Sequence, residues 1–296
     1  MEGLNHKDWK GVTGGTPWMQ RMLVAWFRFS PLIIPYFCMA WVVPFYMIFN
    51  HNGYLAIYRY FRNRHGYGRL KAFIYVYINH FRFGQIIIDR FAMYAGKHFE
   101  MEIEGQDMFD ELDNSDDGFI QLSSHVGNYE LAGYSLKPQK KSFNVLVFAG
   151  ETKQVMNGRH SMFAGKRIQM IPISEDMSHI FLINNALSEG NIVSIPGDRV
   201  FGSPRSVKCN FMGGEASFPL GPFAMATQRG INMLAVFVMK KSIHKYCIYV
   251  KRISVPADVD RKMKAHALAQ VYADELEMMM RKYPAQWFNY FDFWKQ

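Results

Sequence analysis

The stretch Ser123 to Glu130 (SSHVGNYE) brings a histidine, a glycine, an asparagine and a glutamate together where a short apolar run ends and a helix is expected to open. In open α/β sheets, sites form outside the carboxyl ends of strands. His125 and Glu130 are separated by four residues. Within one helix they would lie about 140° apart and would not meet. They can meet if His125 sits in the loop and Glu130 in the first helical turn. Gly127 lets the chain turn, and Asn128 suits a helix cap. A carboxylate beside an imidazole fixes its tautomer and stabilises the imidazolium. Such a pair can take a proton from a hydroxyl or an amine as that group attacks a thioester. The same spacing also suits a hydrogen-bonded loop histidine followed by a solvated first-turn carboxylate. Spacing alone leaves both readings open.

Residues around HVGNYE resemble the H-x4-D/E signature of the lysophospholipid acyltransferase superfamily. More narrowly, they resemble the HxGNWE variant of the bacterial lipid A late (lauroyl/myristoyl) acyltransferases and the phosphatidylinositol mannoside acyltransferases. Three further blocks agree in order. Gly197-Asp198-Arg199 stands where that branch carries a D-Q or D-R pair. FMGGEASFPLGP (Phe211 to Pro222) is similar to an F-x-G-x-x-A-x-x-P-x-G-P block, and YPAQWFNY (Tyr283 to Tyr290) to a terminal P-x-Q-Y/W-x-W segment.

This resemblance implies that His125 is the general base and Glu130 the acid that orients it. It implies that Asp198 and Arg199 bind acceptor or phosphate and support the site; a strand-end salt bridge is the alternative account of that pair. It also implies an acyl carrier protein or coenzyme A thioester as donor, a lipid as acceptor, and neither cofactor nor metal. Arg199 replaces a frequent Gln, and the ending FDFW lacks a basic R-x-K, so the acceptor stays open between lipid A, a related glycolipid or phospholipid, and the amine of an amino-acid lipid. A membrane-bound lipid-binding protein without turnover is the alternative of another class, disfavoured by the intact histidine and glutamate.

Two other groups are candidates for substrate binding. Glu151 follows the run FNVLVF and can enter the site, or lie in an exposed loop. Lys153, Arg159, Lys166 and Arg167 form a basic cluster. Arg159 and Arg167 in particular suit phosphate, since guanidinium forks match phosphate oxygens; a solvated basic face explains the cluster equally well. Glycines 213, 214 and 221 could let backbone N–H groups stabilise an oxyanion, or simply serve a strand and turn. No G-x-S-x-G elbow is present, which disfavours a serine hydrolase.

The elements that must position these groups read as an α/β fold with a mostly parallel central sheet flanked by helices. Strands are expected at 118–123, 143–148, 168–173, 191–196, 232–239 and 246–253. Helices are expected at 129–136, 177–188, 219–229 and 257–282, with two more over 55–95 broken at Gly66 and Gly68. Residues 51–296 form the catalytic domain in this reading, and residues 1–50 an arm and a membrane-embedded helical segment. Phe29 to Phe49 is a run of 21 residues without a charge. As a helix it would extend about 30 Å, one bilayer core. Pro31, Pro35 and Pro44 predict a kinked segment, spanning or re-entrant.

The chain carries a net charge of +9 and 16% aromatic residues. That balance suits anionic lipid headgroups or an acidic carrier, and no nucleic-acid-binding motif accompanies it. Three cysteines without a CxxC spacing fit a reducing compartment. The expected location is the inner membrane, with the site on its cytoplasmic face.

Overall fold

The computed structural model describes residues 17–131, 136–148, 167–173, 178–200 and 205–295. Its centre is a seven-stranded sheet in the order β1-β9-β8-β2-β5-β3-β4. The strands are β1 (Glu100–Glu104), β2 (Phe119–Ser123), β3 (Phe143–Phe148), β4 (Ile168–Ile173), β5 (Ile192–Pro196), β8 (Asn232–Lys240) and β9 (Lys245–Ile253). Every neighbouring pair is parallel except β8 with β9. β2 is buried along its whole length, as the continuous apolar runs of parallel sheets require. The period-two alternation of a strand divides the core. Met233, Ala235, Phe237 and Met239 of β8 join one cluster, with Ile120 and Leu122 of β2. Leu234, Val236 and Val238 join the other, with Phe119.

The interior strands fall where the sequence places them, within one residue at each end. Two regions differ. β1 and helix α5 (Gln106–Asn114) were not foreseen, because EMEIE puts charges at every second position. That pattern belongs to an edge strand, whose outer face stays in water. The long terminal helix α8 (Lys264–Lys282) starts later than 257, since Asp258 has a positive φ of 61° that interrupts a helix.

Phe211 to Pro222 belongs mostly to an antiparallel hairpin, β6 (Ser206–Phe211) and β7 (Gly214–Pro219). Met212 (φ 51°) and Gly213 (φ 72°) form its two-residue turn, the left-handed pair that such hairpins demand. Helix α7 (Gly221–Arg229) follows, and α6 (Ser178–Ser188) precedes β5.

Among the described residues four helical pieces precede the sheet: α1 (Pro17–Phe29), α2 (Ile33–Phe49), α3 (His51–Arg59), extended by a wider turn over Tyr60–Arg64, and α4 (Arg69–Tyr94). Among the described residues no single helix is long and apolar enough to cross a membrane. The pair Ile33–Phe49 and His51–Arg64 meets that test only together, and it is bent by 96°. The bend falls at Asn50, whose side chain accepts from the Gly53 N–H and caps α3, and not at the prolines. α2 is apolar on both faces. Tyr36, Val43 and Met47 face the protein, while Phe37, Trp41, Phe45 and Phe49 lie exposed on the other side.

Candidate active site

β2 and β5 are parallel neighbours, with Ser123 opposite Pro196. Two residues beyond each strand end, the chain reaches His125 and Asp198. Strand adjacency and register therefore deliver both to the same rim of the sheet, the carboxyl end. The contact is close. His125 Nδ1 lies 2.9 Å from Asp198 Oδ1, and the His125 backbone N–H donates to Oδ2 at 2.9 Å. Asp198 is fully buried, and the His125 side chain keeps about a quarter of its surface exposed, 24%. No residue among those described hydrogen-bonds His125 Nε2.

Burial lowers the His125 pKa below its ordinary 6.5; Asp198 opposes that shift and Arg199 adds to it. Burial alone would raise the Asp198 carboxyl. The charge and hydrogen bonds of His125 and the charge of Arg199 outweigh it and hold the group below the usual carboxylate range. At neutral pH the site thus holds a carboxylate and a neutral imidazole. The Nδ1–H is committed to Asp198, which leaves the lone pair on Nε2.

The expectation that Glu130 meets the imidazole is corrected. Residues 129–131 form a single 3-10 turn, and Glu130 pairs with Arg90 Nε of α4 at 2.9 Å. The carboxylate at Nδ1 is that of Asp198. Gly127 is why the loop takes this course. Its φ is +60°, and a Cβ there would lie 2.0 Å from the Val238 carbonyl oxygen. The loop is pressed against β8, and the Asn128 N–H donates to that same oxygen at 2.7 Å.

The carboxyl-terminal segment seals the loop from its other side. Gly127 N–H donates to Gln286 O at 2.8 Å, and Phe288 N–H donates to His125 O at 3.0 Å. Val126 and Trp287 form an antiparallel bridge. From this segment the buried Asn289 reaches the site. Its Oδ1 accepts from Arg199 Nε at 2.8 Å, and its Nδ2 donates to Asp198 Oδ2 at 3.4 Å. Arg199 Nη2 also donates to Phe288 O at 3.3 Å. Asn289 was missed by sequence reasoning; the available signal was a lone amide within the aromatic run WFNYF. The ring of Tyr129 flanks His125, with centroids 5.6 Å apart.

The other candidates separate from this centre. Arg167 stands at the amino-terminal end of β4, where it donates to Lys140 O at 3.0 Å. A parallel strand of this length spans roughly 20 Å, so Arg167 lies at the rim opposite His125 and is removed from the site. Glu151, Lys153, Arg159 and Lys166 lie outside the described residues. The hairpin glycines supply a turn, and the Met212 N–H donates to Glu277 at 2.5 Å, so that backbone donor is already used.

A histidine whose Nε2 has no partner among the described residues, backed by a buried carboxylate, has the geometry that general-base chemistry requires. A search of the curated proteins returned no match. The family model described as bacterial lipid A biosynthesis acyltransferase matches residues 84–296, from the middle of α4 to the last residue and across all the elements that build this site. The match spans more than two thirds of the 296 residues, and the chain belongs to that family of acyltransferases.

Proposed function

We propose that this acyltransferase moves a fatty acyl group from an acyl carrier protein or coenzyme A thioester to a hydroxyl of lipid A or of a related membrane glycolipid or phospholipid. The observation that carries the mechanism is the His125–Asp198 pair with Nε2 left as an acceptor. Nε2 takes the proton of the acceptor hydroxyl as its oxygen attacks the thioester carbonyl. The Asp198 carboxylate stabilises the imidazolium that forms. The tetrahedral intermediate collapses, the C–S bond breaks, and the imidazolium returns its proton to the leaving thiolate. Arg199 spends Nε and Nη2 on the carboxyl-terminal segment. Among the described residues its Nη1 has no hydrogen-bond partner, and it is the donor we assign to an anionic oxygen of the substrate. Glu130, held by Arg90, fixes the turn after the histidine.

In this reading the reaction takes place at the cytoplasmic face of the inner membrane. Support comes from the amino-terminal helices. Trp18, Met22, Trp26 and Phe29 of α1, the outer face of α2, and Leu70, Phe73 and Ile74 of α4 are exposed large apolar side chains. A helix that is apolar all round, as α2 is, belongs in a core or in lipid. The bent pair of helices suits a re-entrant seat in one leaflet.

Expression in a bacterium lacking its late lipid acyltransferases, beside a His125→Ala control, tests this reading by mass spectrometry of total lipids. The expected product is a lipid heavier by one acyl group that is absent from the control at equal membrane levels. A product that persists with His125→Ala refutes the proposed base.

A further inference from the structure

A second buried polar centre lies away from the catalytic pair. Asp89 of α4 is fully buried, and so is the side chain of Lys240 at the end of β8. Lys240 Nζ donates to Asp89 Oδ2 at 2.5 Å, and to Ile243 O at 3.2 Å. Tyr246 of β9 also donates its hydroxyl to Asp89 Oδ2, and Tyr36 of α2 donates to Oδ1. The carboxylate therefore receives three side-chain donors from three different elements. An isolated ion pair of this burial gains little net stability. In some proteins such a centre serves instead to fix one arrangement among several.

What it fixes is visible at both ends. Tyr36 sits on the inner face of α2, whose outer face is apolar and exposed. At the other end, the Tyr246 hydroxyl accepts from Asn128 Nδ2 at 3.5 Å, and Asn128 belongs to the His125 loop. Lys240 supplies a second route through its backbone. Its N–H donates to Gln286 Oε1 at 2.9 Å, its carbonyl accepts from Gln286 Nε2 at 2.8 Å, and the Gln286 carbonyl holds the Gly127 N–H. A continuous chain of hydrogen bonds thus runs from the helix with the exposed apolar face to the two residues that shape the turn after His125.

We propose that Asp89 and Lys240 are positioning residues that hold the His125 loop in its productive geometry only while α2 is seated. The catalytic consequence rests on His125 being the base; the physical coupling does not. A packed network with two discrete arrangements is the form in which such coupling travels. Acyl transfer would thereby follow correct seating of the apolar helix.

The test uses the full-length protein in lipid nanodiscs, with Tyr36→Phe, Tyr246→Phe, their double variant, and the charge-neutral pair Asp89→Asn/Lys240→Met. The last guards against a fold lost to an unpaired buried Lys240. Two readouts are taken: kcat against KM, and amide hydrogen exchange at Gly127 and Asn128. Networks of this kind carry effects of about threefold to thirtyfold. Tyr36→Phe is expected to lower kcat within that range at unchanged KM, and to speed exchange at both amides. In the Tyr246→Phe background it should add little to exchange at Asn128, whose link through Tyr246 is already cut, while it still acts on Gly127 through Lys240. The neutral pair should show the same phenotype while remaining folded. The proposal is overturned if these variants lower thermal stability but leave kcat and loop exchange unchanged, or if the two tyrosine effects on Asn128 exchange multiply independently. Inactive wild-type protein with slow loop exchange that Tyr36→Phe accelerates would refute the acyl-transfer mechanism and leave the coupling standing.

Discussion

His125 is useful as a base only in its neutral form, and its burial sets the pH at which that form is lost. Its pKa lies below 6.5 in the folded protein. Falling pH therefore protonates the unfolded chain first, and at pH 6.5 the folded site is still mostly neutral. The acid limb of kcat/KM, which reports the free enzyme, should therefore have a slope of one and its midpoint below 6.5. An acid limb centred above 6.5 would mean that the imidazole is not held neutral. Asn289 acts at the same scale, through Asp198 and Arg199. Replacing it with Ala leaves both with an unfilled hydrogen-bond position, at a cost of about 1–3 kcal/mol. The expected result is a tenfold to hundredfold fall in kcat by roughly that arithmetic, and Asn289→Asp should not restore it, because a second carboxylate would face Asp198. The histidine was legible from SSHVGNYE, but its partner was not. Glu130 is the nearest carboxylate in sequence, whereas Asp198 is the nearest in space, and only the adjacency of β2 and β5 reveals that.

Elements set the loop, and glycine marks the place where they press hardest. Gly127 and Gly213 both have positive φ, +60° and +72°, but only Gly127 has backbone where a Cβ would go. Gly213→Ala should cost about 1 kcal/mol, the strain of a left-handed alanine. Gly127→Ala must also push β8 away, so it should destabilise by several-fold more and abolish activity. Thermal unfolding of the two variants side by side decides this, and equal losses of Tm would contradict the close contact with Val238. The interior strands were legible because fully buried strands are nearly continuous apolar runs, as in FIQLS. β1 was not, since its charged alternate positions hide an edge strand. Strand order was illegible altogether. That Arg167 falls at the wrong rim was within reach, since it directly precedes the expected strand 168–173 and so flanks the amino end of a parallel strand.

At the scale of the whole molecule, most of the exposed large apolar side chains among the described residues lie on the amino-terminal helices. If α2 enters lipid, Phe37, Trp41 and Phe45 supply much of the affinity, since burying each contributes about 2 kcal/mol. Changing all three to Ser should release the protein from vesicles by more than about a hundredfold in partition coefficient, read by flotation with folding checked by circular dichroism. Undiminished flotation would place the contact elsewhere. The sequence showed an uncharged run and three prolines. It did not show that the bend would come at Asn50, because a side-chain cap, and not a missing N–H, starts the next helix there.

The central claim is that the catalytic acid partner of His125 is Asp198 and not Glu130. It is tested most directly by measuring kcat for thioester-dependent acylation with His125→Ala, Asp198→Asn and Glu130→Gln. The account predicts that Asp198→Asn approaches the His125→Ala loss, on the order of 10³–10⁴-fold. It also predicts that combining those two adds little, and that Glu130→Gln retains clearly more activity. A Glu130→Gln enzyme as impaired as His125→Ala, beside an Asp198→Asn enzyme that keeps most of its kcat, would contradict it.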